Sequence, residues 1–152
     1  MAIAISNPEL IKSKYLAAEV NGEPIKLSEL NRAYDALPAE YKQYITKAAL
    51  LDSQIEIILL KQEAEAQGIK INDEDFNKLV EQALQQSGLT KEQLETQLKV
   101  QGKTMGDIKT QFLIKTLLEK TIPNANQTSQ QTEIQQYIES LREKADIKIY
   151  LK

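Results

Sequence analysis

The sequence predicts a mainly helical protein with one small antiparallel sheet, and three patterns support this fold class. The segment LAAEVNGEPIK alternates around Asn21-Gly22, a pair typical of a tight β-hairpin turn. Through most of the following chain, apolar residues recur at three- and four-residue spacing, the period of amphipathic helices. The last residues, DIKIYLK, return to strict alternation, which predicts a half-buried strand.

The two ends of the chain are expected to form the sheet together. A two-stranded hairpin alone is only marginally stable in water, so it needs a further strand. Ile147, Ile149 and Leu151 provide an apolar face that suits this role. Pro24 lacks an N–H group and therefore places the second hairpin strand at an edge.

Two helices are expected directly after the hairpin. Ser28 is the predicted N-cap of a short helix that ends near Leu37-Pro38. A long helix is predicted over 39–67, with Gly68 just beyond its end and the IEIILL segment buried on most sides. Its predicted apolar stripe is Tyr41, Ile45, Ala48, Leu51, Ile55, Ile58 and Leu59.

Three more helices are predicted over about 73–87, 91–101 and 105–121. Each follows a glycine and a capping residue, and these N-caps are Asn72, Thr90 and Thr104. The expected inward faces are Phe76, Leu79, Val80 and Ala83, then Leu94 and Leu98, then Ile108, Phe112, Leu117 and Leu118.

The remaining chain divides into a polar loop and a returning segment. PNANQTSQQ, residues 123–131, predicts a loop, and Thr132 opens a final helix before the last strand. The predicted organisation is therefore an N-terminal extension over 1–14 and a single domain over 15–152. Within that domain the core spans 15–122 and the returning helix and strand span 132–152.

Composition argues against most catalytic and metal chemistry. The chain has neither cysteine nor histidine, which removes the commonest ligands of zinc and haem and the commonest general base. The acidic run at 72–83 lacks the glycine and glutamate positions of a calcium loop, so it predicts a helix cap. No enzyme activity, metal or other cofactor is expected.

Charge and hydropathy restrict the partners in the same way. The net charge of −3 disfavours general binding to nucleic acid. No window approaches the ~20 apolar residues of a membrane span, so no membrane insertion is expected. No export signal is visible in MAIAISNPEL.

Four residues are candidates for binding a polypeptide: Tyr34, Tyr41, Tyr44 and Met105. Tyrosine combines apolar area with a polar tip, and methionine adapts to irregular surfaces. The tyrosines cluster around Leu37-Pro38 among polar residues. They predict either an ordinary amphipathic rim or a contact surface for another chain.

Several segments together resemble a known family. AAEVNGEPIKLSEL, LLKQEAEAQGIKINDEDFNKLVEQ, SGLTKEQLETQLKVQG and IKTQFLIKTLLEKTI resemble the N-terminal chaperone domain of SurA-type periplasmic proteins. Related domains occur in PrsA-like foldases and, more remotely, in trigger factor. The resemblance covers about residues 15–152 and implies a multi-helix chaperone fold.

The resemblance also has a clear departure. In that family a parvulin prolyl isomerase domain of ~90 residues commonly lies where this chain has only residues 123–131. The parvulin histidine and cysteine positions have no counterpart here. Prolyl isomerase activity is therefore not expected, and binding of unfolded polypeptides is what the resemblance still implies.

The functional hypothesis is an ATP-independent holdase that binds unfolded or nascent polypeptides in a shallow apolar cradle. The resemblance implies a periplasmic or otherwise extracytoplasmic location. The alternative is a structural or assembly module that uses the same surface for a homodimer or a dedicated protein partner. Exchange of the C-terminal helix and strand between two copies is one route to such a dimer.

Overall fold

A computed structural model describes residues 7–123 and 127–152, and it confirms the predicted fold class. The described chain is mainly helical and contains a small three-stranded antiparallel sheet. The strands are β1 Leu16–Val20, β2 Glu23–Lys26 and β3 Ile147–Ile149. The helices are α1 Pro8–Tyr15, α2 Leu27–Asp35, α3 Ala39–Lys42, α4 Lys47–Ala66, α5 Asp73–Ser87, α6 Lys91–Val100, α7 Met105–Thr121 and α8 Gln127–Lys144.

The hairpin forms as predicted. Asn21 and Gly22 both have positive φ angles, 50° and 84°, which a two-residue turn of this type requires. Strand order is β2-β1-β3, so Pro24 lies in an edge strand.

The two ends of the chain also pair as predicted. Val20 lies opposite Ile147 and Ala18 opposite Ile149 in an antiparallel ladder. Asn21 reinforces this closure, because its backbone N–H donates to the Asp146 carbonyl at 2.7 Å and its Oδ1 accepts from the Asp146 N–H at 2.8 Å. Its amide group also donates to Gln62 of α4 at 2.8 Å, so one turn residue connects three parts of the chain.

Most of the buried side chains form two clusters along α4, and Phe76, Val80 and Leu98 of α5 and α6 are buried outside them. The first contains sheet residues, Leu30 of α2 and the α4 residues Leu51, Ile55 and Leu59. The second joins the C-terminal part of α4 to α7 and α8, with Leu117 completely buried. Leu141 of α8 packs against both clusters, so α8 bridges them.

Three of the predicted N-caps are confirmed. Thr90 and Thr104 form capping boxes with residues three positions on, and Asn72 caps α5 through its side chain. After α4, Gly68 has φ 74°, and the Ile69 N–H returns to the Ala64 carbonyl at 2.9 Å. This Schellman motif turns Ile69 back into the second cluster.

The prediction of one helix over 39–67 is wrong. The chain forms the short α3, then a turn, and α4 begins only at Lys47. Thr46 has an extended backbone, and its hydroxyl accepts a hydrogen bond from the Ala49 N–H at 3.1 Å. Thr46 therefore caps the start of α4 instead of lying inside a longer helix. Tyr41 and Ala48 are consequently exposed instead of lying on a buried stripe.

Other local predictions also need correction. Ser28 lies inside α2, whose N-cap position is Lys26, because β2 runs into the helix without a linker. Ala83 is exposed on α5. Ile57 and Ile149 are 46% and 60% exposed, so IEIILL is not buried all round and the last strand is open at its edge.

Two predicted element boundaries differ from the structure. The returning helix begins at Gln127, so Thr132 lies inside α8 and residues 127–131 of the predicted loop are helical. Residues 124–126 of that loop and 1–6 of the predicted extension lie outside the described residues. Gln127–Gln131 contains neither glycine nor proline, and nothing in it ends a helix. At the other end, residues 8–14 form most of α1, whose Lys12 Nζ lies 3.0 Å from Glu19 of β1.

Deletion of residues 146–152 tests the closure. It removes β3, its ladder bonds and the packing of Ile147 and Leu151 against the first cluster. We expect the free energy of unfolding to fall by roughly 2–5 kcal/mol, measured by urea denaturation. Removal of the exposed Lys152 alone is the control. An unchanged midpoint after the longer deletion would show that the pairing adds no stability.

Glu19 makes part of this stability dependent on pH. Hydrogen bonds from the Tyr150 hydroxyl at 2.6 Å and from the Lys12 ammonium lower the pKa of Glu19 below its ordinary value of about 4.5. A carboxyl group whose pKa is lower in the folded state stabilises the fold at pH values above its unfolded-state pKa. This stabilisation is lost as the pH falls through the folded-state pKa. We expect Glu19→Gln to destabilise the protein at pH 7 and to differ progressively less from the wild type below pH ~4. Urea denaturation across this range measures the difference.

The exposed Glu95, changed to Gln, is the control, and it should have little effect at either pH. A Glu19→Gln effect that stays constant down to pH ~2 would contradict the charged hydrogen-bond account.

Candidate functional site

A groove of about 570 Å³ opens between α4, α7 and α8. Most of its lining surface is apolar, and five of the eleven residues that line it are aliphatic. The aliphatic residues are Ile57, Leu60, Ile114, Leu118 and Ile134, and the polar ones are Ser53, Glu56, Gln111, Lys115, Glu119 and Gln130. Such a concave, largely apolar surface is the usual form of a binding site for uncharged groups.

The groove exists because α4 carries apolar residues on a second face. Ile57 and Leu60 lie on this face beside Ser53, whereas Leu51, Ile55 and Leu59 pack on the sheet side. The buried Leu60 belongs to the second cluster, whereas Ile57 remains 46% exposed. The groove is thus an open continuation of the core and not a separate cavity.

Charges around the groove are largely paired within the fold. Arg142 Nη2 lies 2.7 Å from an Asp52 carboxylate oxygen and 3.3 Å from Glu56, which joins α8 to α4. Lys115 and Glu119 lie 3.8 Å apart one helical turn from each other. The groove therefore presents little net charge, which suits apolar side chains better than phosphates or carboxylates.

The described residues contain no group of three carboxylates that could hold a metal ion. In the same part of the chain, every buried side-chain nitrogen or oxygen has a hydrogen-bond partner.

The four residues predicted from the sequence lie on two other segments. Tyr34 is half-buried near the end of α2, with the Nζ atoms of Lys42 and Lys47 at 5.6 and 5.4 Å from its ring centroid. Tyr41 and Tyr44 are 52% and 82% exposed. Met105 is the first residue of α7 and is partly buried.

The fold brings those two segments close to each other. A Cβ placed on Gly102 would lie 3.5 Å from the Ala36 Cβ, so the loop before α7 packs beside the end of α2. Tyr34 and Met105 lie within a few residues of this contact. None of the four predicted residues lines the groove.

Sequence reasoning therefore missed the groove. Its signal was present in IEIILL, where Ile57 lies outside the stripe that packs on the sheet. The extra apolar residue predicts a helix that is buried on most sides. The helical period does not show which neighbouring elements pack around α4, so it could not predict that one side stays open.

No protein-family model matches this chain, and no curated protein matches it either. Within residues 7–123 and 127–152, no helix has both the length and the apolarity needed to cross a bilayer.

Proposed function

We propose that this protein is an ATP-independent holdase that binds unfolded or partly folded polypeptides. The observation that carries the proposal is the open aliphatic groove between α4, α7 and α8, with its nearly neutral surroundings. Exposed apolar patches on soluble proteins commonly mark interaction sites. A neutral aliphatic groove accepts many different apolar side chains and selects little sequence.

The size of the groove suits weak binding. Each Å² of apolar surface removed from water contributes ~25 cal/mol, and ordering a flexible client offsets much of that gain. Occupancy by one or two client side chains would therefore give modest affinity and rapid exchange. A holdase needs contacts that outlast aggregation encounters but still release the client.

The surface around Tyr41, Tyr44 and Met105 is the second proposed contact for clients. The two exposed tyrosines offer apolar rings with polar tips, which bind without demanding complete desolvation. The resemblance to SurA-type domains supports the same function and, with it, an extracytoplasmic location. We do not propose enzymatic activity, since no nucleophile–base set is visible in the sequence.

Suppression of aggregation tests the proposal. A guanidinium-unfolded enzyme is diluted into buffer without nucleotide, and light scattering is recorded over a dose series of this protein. We expect suppression that saturates near stoichiometric ratios. Absence of suppression at high concentrations of the folded protein would contradict the holdase function.

Two groups of variants separate the proposed contacts. Ile57→Ser removes apolar area from the groove, and roughly 30–55 Å² of lost contact would weaken client binding about three- to tenfold. Val100→Ser is the matched control, because Val100 is an aliphatic helix residue, 75% exposed and outside the groove.

Serine at positions 34, 41, 44 and 105 tests the second surface. If these variants fold normally and suppress aggregation like the wild type, the assignment of that surface is wrong.

The alternative, an assembly module, gives a different result in the same samples. It predicts a concentration-dependent dimer, visible by sedimentation, with no affinity for unfolded clients. Closure of the chain by α8 and β3 makes exchange of that segment between two copies geometrically simple.

A further inference from the structure

The two edges of the sheet differ in their capacity to bind another strand. On β2, Pro24 lies opposite Glu19 and has no N–H to offer on its outward side. On β3 the corresponding positions are isoleucines. Proline commonly protects an edge against further pairing, so only the β2 edge has this protection.

Two hydrogen bonds establish which groups of β3 face outward. The Tyr150 N–H donates to the Ala17 carbonyl at 2.8 Å, and the Asp146 carbonyl accepts from the Asn21 N–H at 2.7 Å. Residues 146, 148 and 150 therefore face β1. In an antiparallel ladder the alternate residues face the other way, so the N–H and C=O groups of Ile147 and Ile149 point away from the sheet.

The side chains on this edge alternate in character. Ile147 and Ile149 lie opposite Val20 and Ala18, on the face that continues into the first cluster, and Ile149 is 60% exposed. Lys148 projects from the opposite face, beside Glu19. The Glu19 carboxylate accepts hydrogen bonds from Lys12 and Tyr150, and Lys148 attracts it only at longer range, without a salt bridge within the described residues.

We infer that the outer edge of β3 binds an extended polypeptide segment as a fourth strand, in which two apolar residues flank one acidic residue. Its backbone would exchange hydrogen bonds with Ile147 and Ile149. Its apolar side chains would cover Ile149, and its carboxylate would lie across from Lys148.

Charge favours such a segment over a second copy of this chain. Antiparallel self-pairing in the register that uses the whole of β3 places Lys148 directly opposite the same lysine of the other copy. Like charges in that position are destabilising. The inference does not rest on the proposed chaperone function, because the edge shares no residue with the groove or with the tyrosine surface.

The test uses the full chain, labelled with ¹⁵N, and blocked nine-residue peptides. The first peptide is Thr-Val-Thr-Val-Glu-Val-Thr-Val-Thr, and the second has lysine in place of glutamate. We expect the first peptide to shift the amide signals of Ile147 and Ile149 and to slow their hydrogen exchange. The amides of Lys148 and Tyr150, which face β1, should change little. The glutamate peptide should bind roughly two- to fivefold more tightly than the lysine peptide.

Two variants sharpen the result. Lys148→Gln should abolish the preference between the two peptides, and it should keep the ladder to β1 because glutamine places no like charge opposite Glu19. Ile149→Pro, which gives β3 the same protection that Pro24 gives β2, should abolish binding. Lys148→Gln keeps the test decisive if the proline variant is unstable. Equal affinity for both peptides, or shifts confined to other residues, would overturn the inference. So would protection of Ile147 and Ile149 that rises with protein concentration when no peptide is present, since this would identify a second copy as the occupant.

Discussion

The pairing of β1 with β3 is the constraint on which the rest of the structure depends. It joins segments more than 120 residues apart, and it places β1 in the centre of the sheet. Asn21 connects this pairing to α4 through Gln62, so the turn, α4 and the C-terminal strand are held together by one side chain. Because such contacts are distant in sequence, the entropy of closing the chain opposes them until the helices have packed.

The position of α4 follows from that closure. Its first part covers the sheet, and its second part packs on α7 and α8, with Leu141 touching both clusters. A helix shared between two clusters cannot bury every apolar side chain, and Ile57 remains at the open junction. The candidate binding groove is therefore a consequence of the architecture, in which α8 must reach back to bring β3 to the sheet.

Local signals in the sequence predicted much of this fold. Asn21-Gly22, the capping boxes at Thr90 and Thr104 and the turn at Gly68 each act through nearby backbone groups, so short segments determine them. The break at Thr46 was missed because the apolar period continues across it, and the period does not show that the Thr46 hydroxyl caps the following helix. The groove was missed because exposure of Ile57 depends on which helices pack around α4, and periodicity does not specify those partners.

Native-state hydrogen exchange of the full chain tests the closure most directly. The amides of Asn21 and Tyr150 donate across the β1–β3 junction. We expect these two amide hydrogens to exchange as slowly as those in the centre of α4, because both would exchange only through global unfolding. Fast exchange of Asn21 and Tyr150, with α4 still protected, would show that the C-terminal strand opens independently and would contradict the closure as the organising interaction.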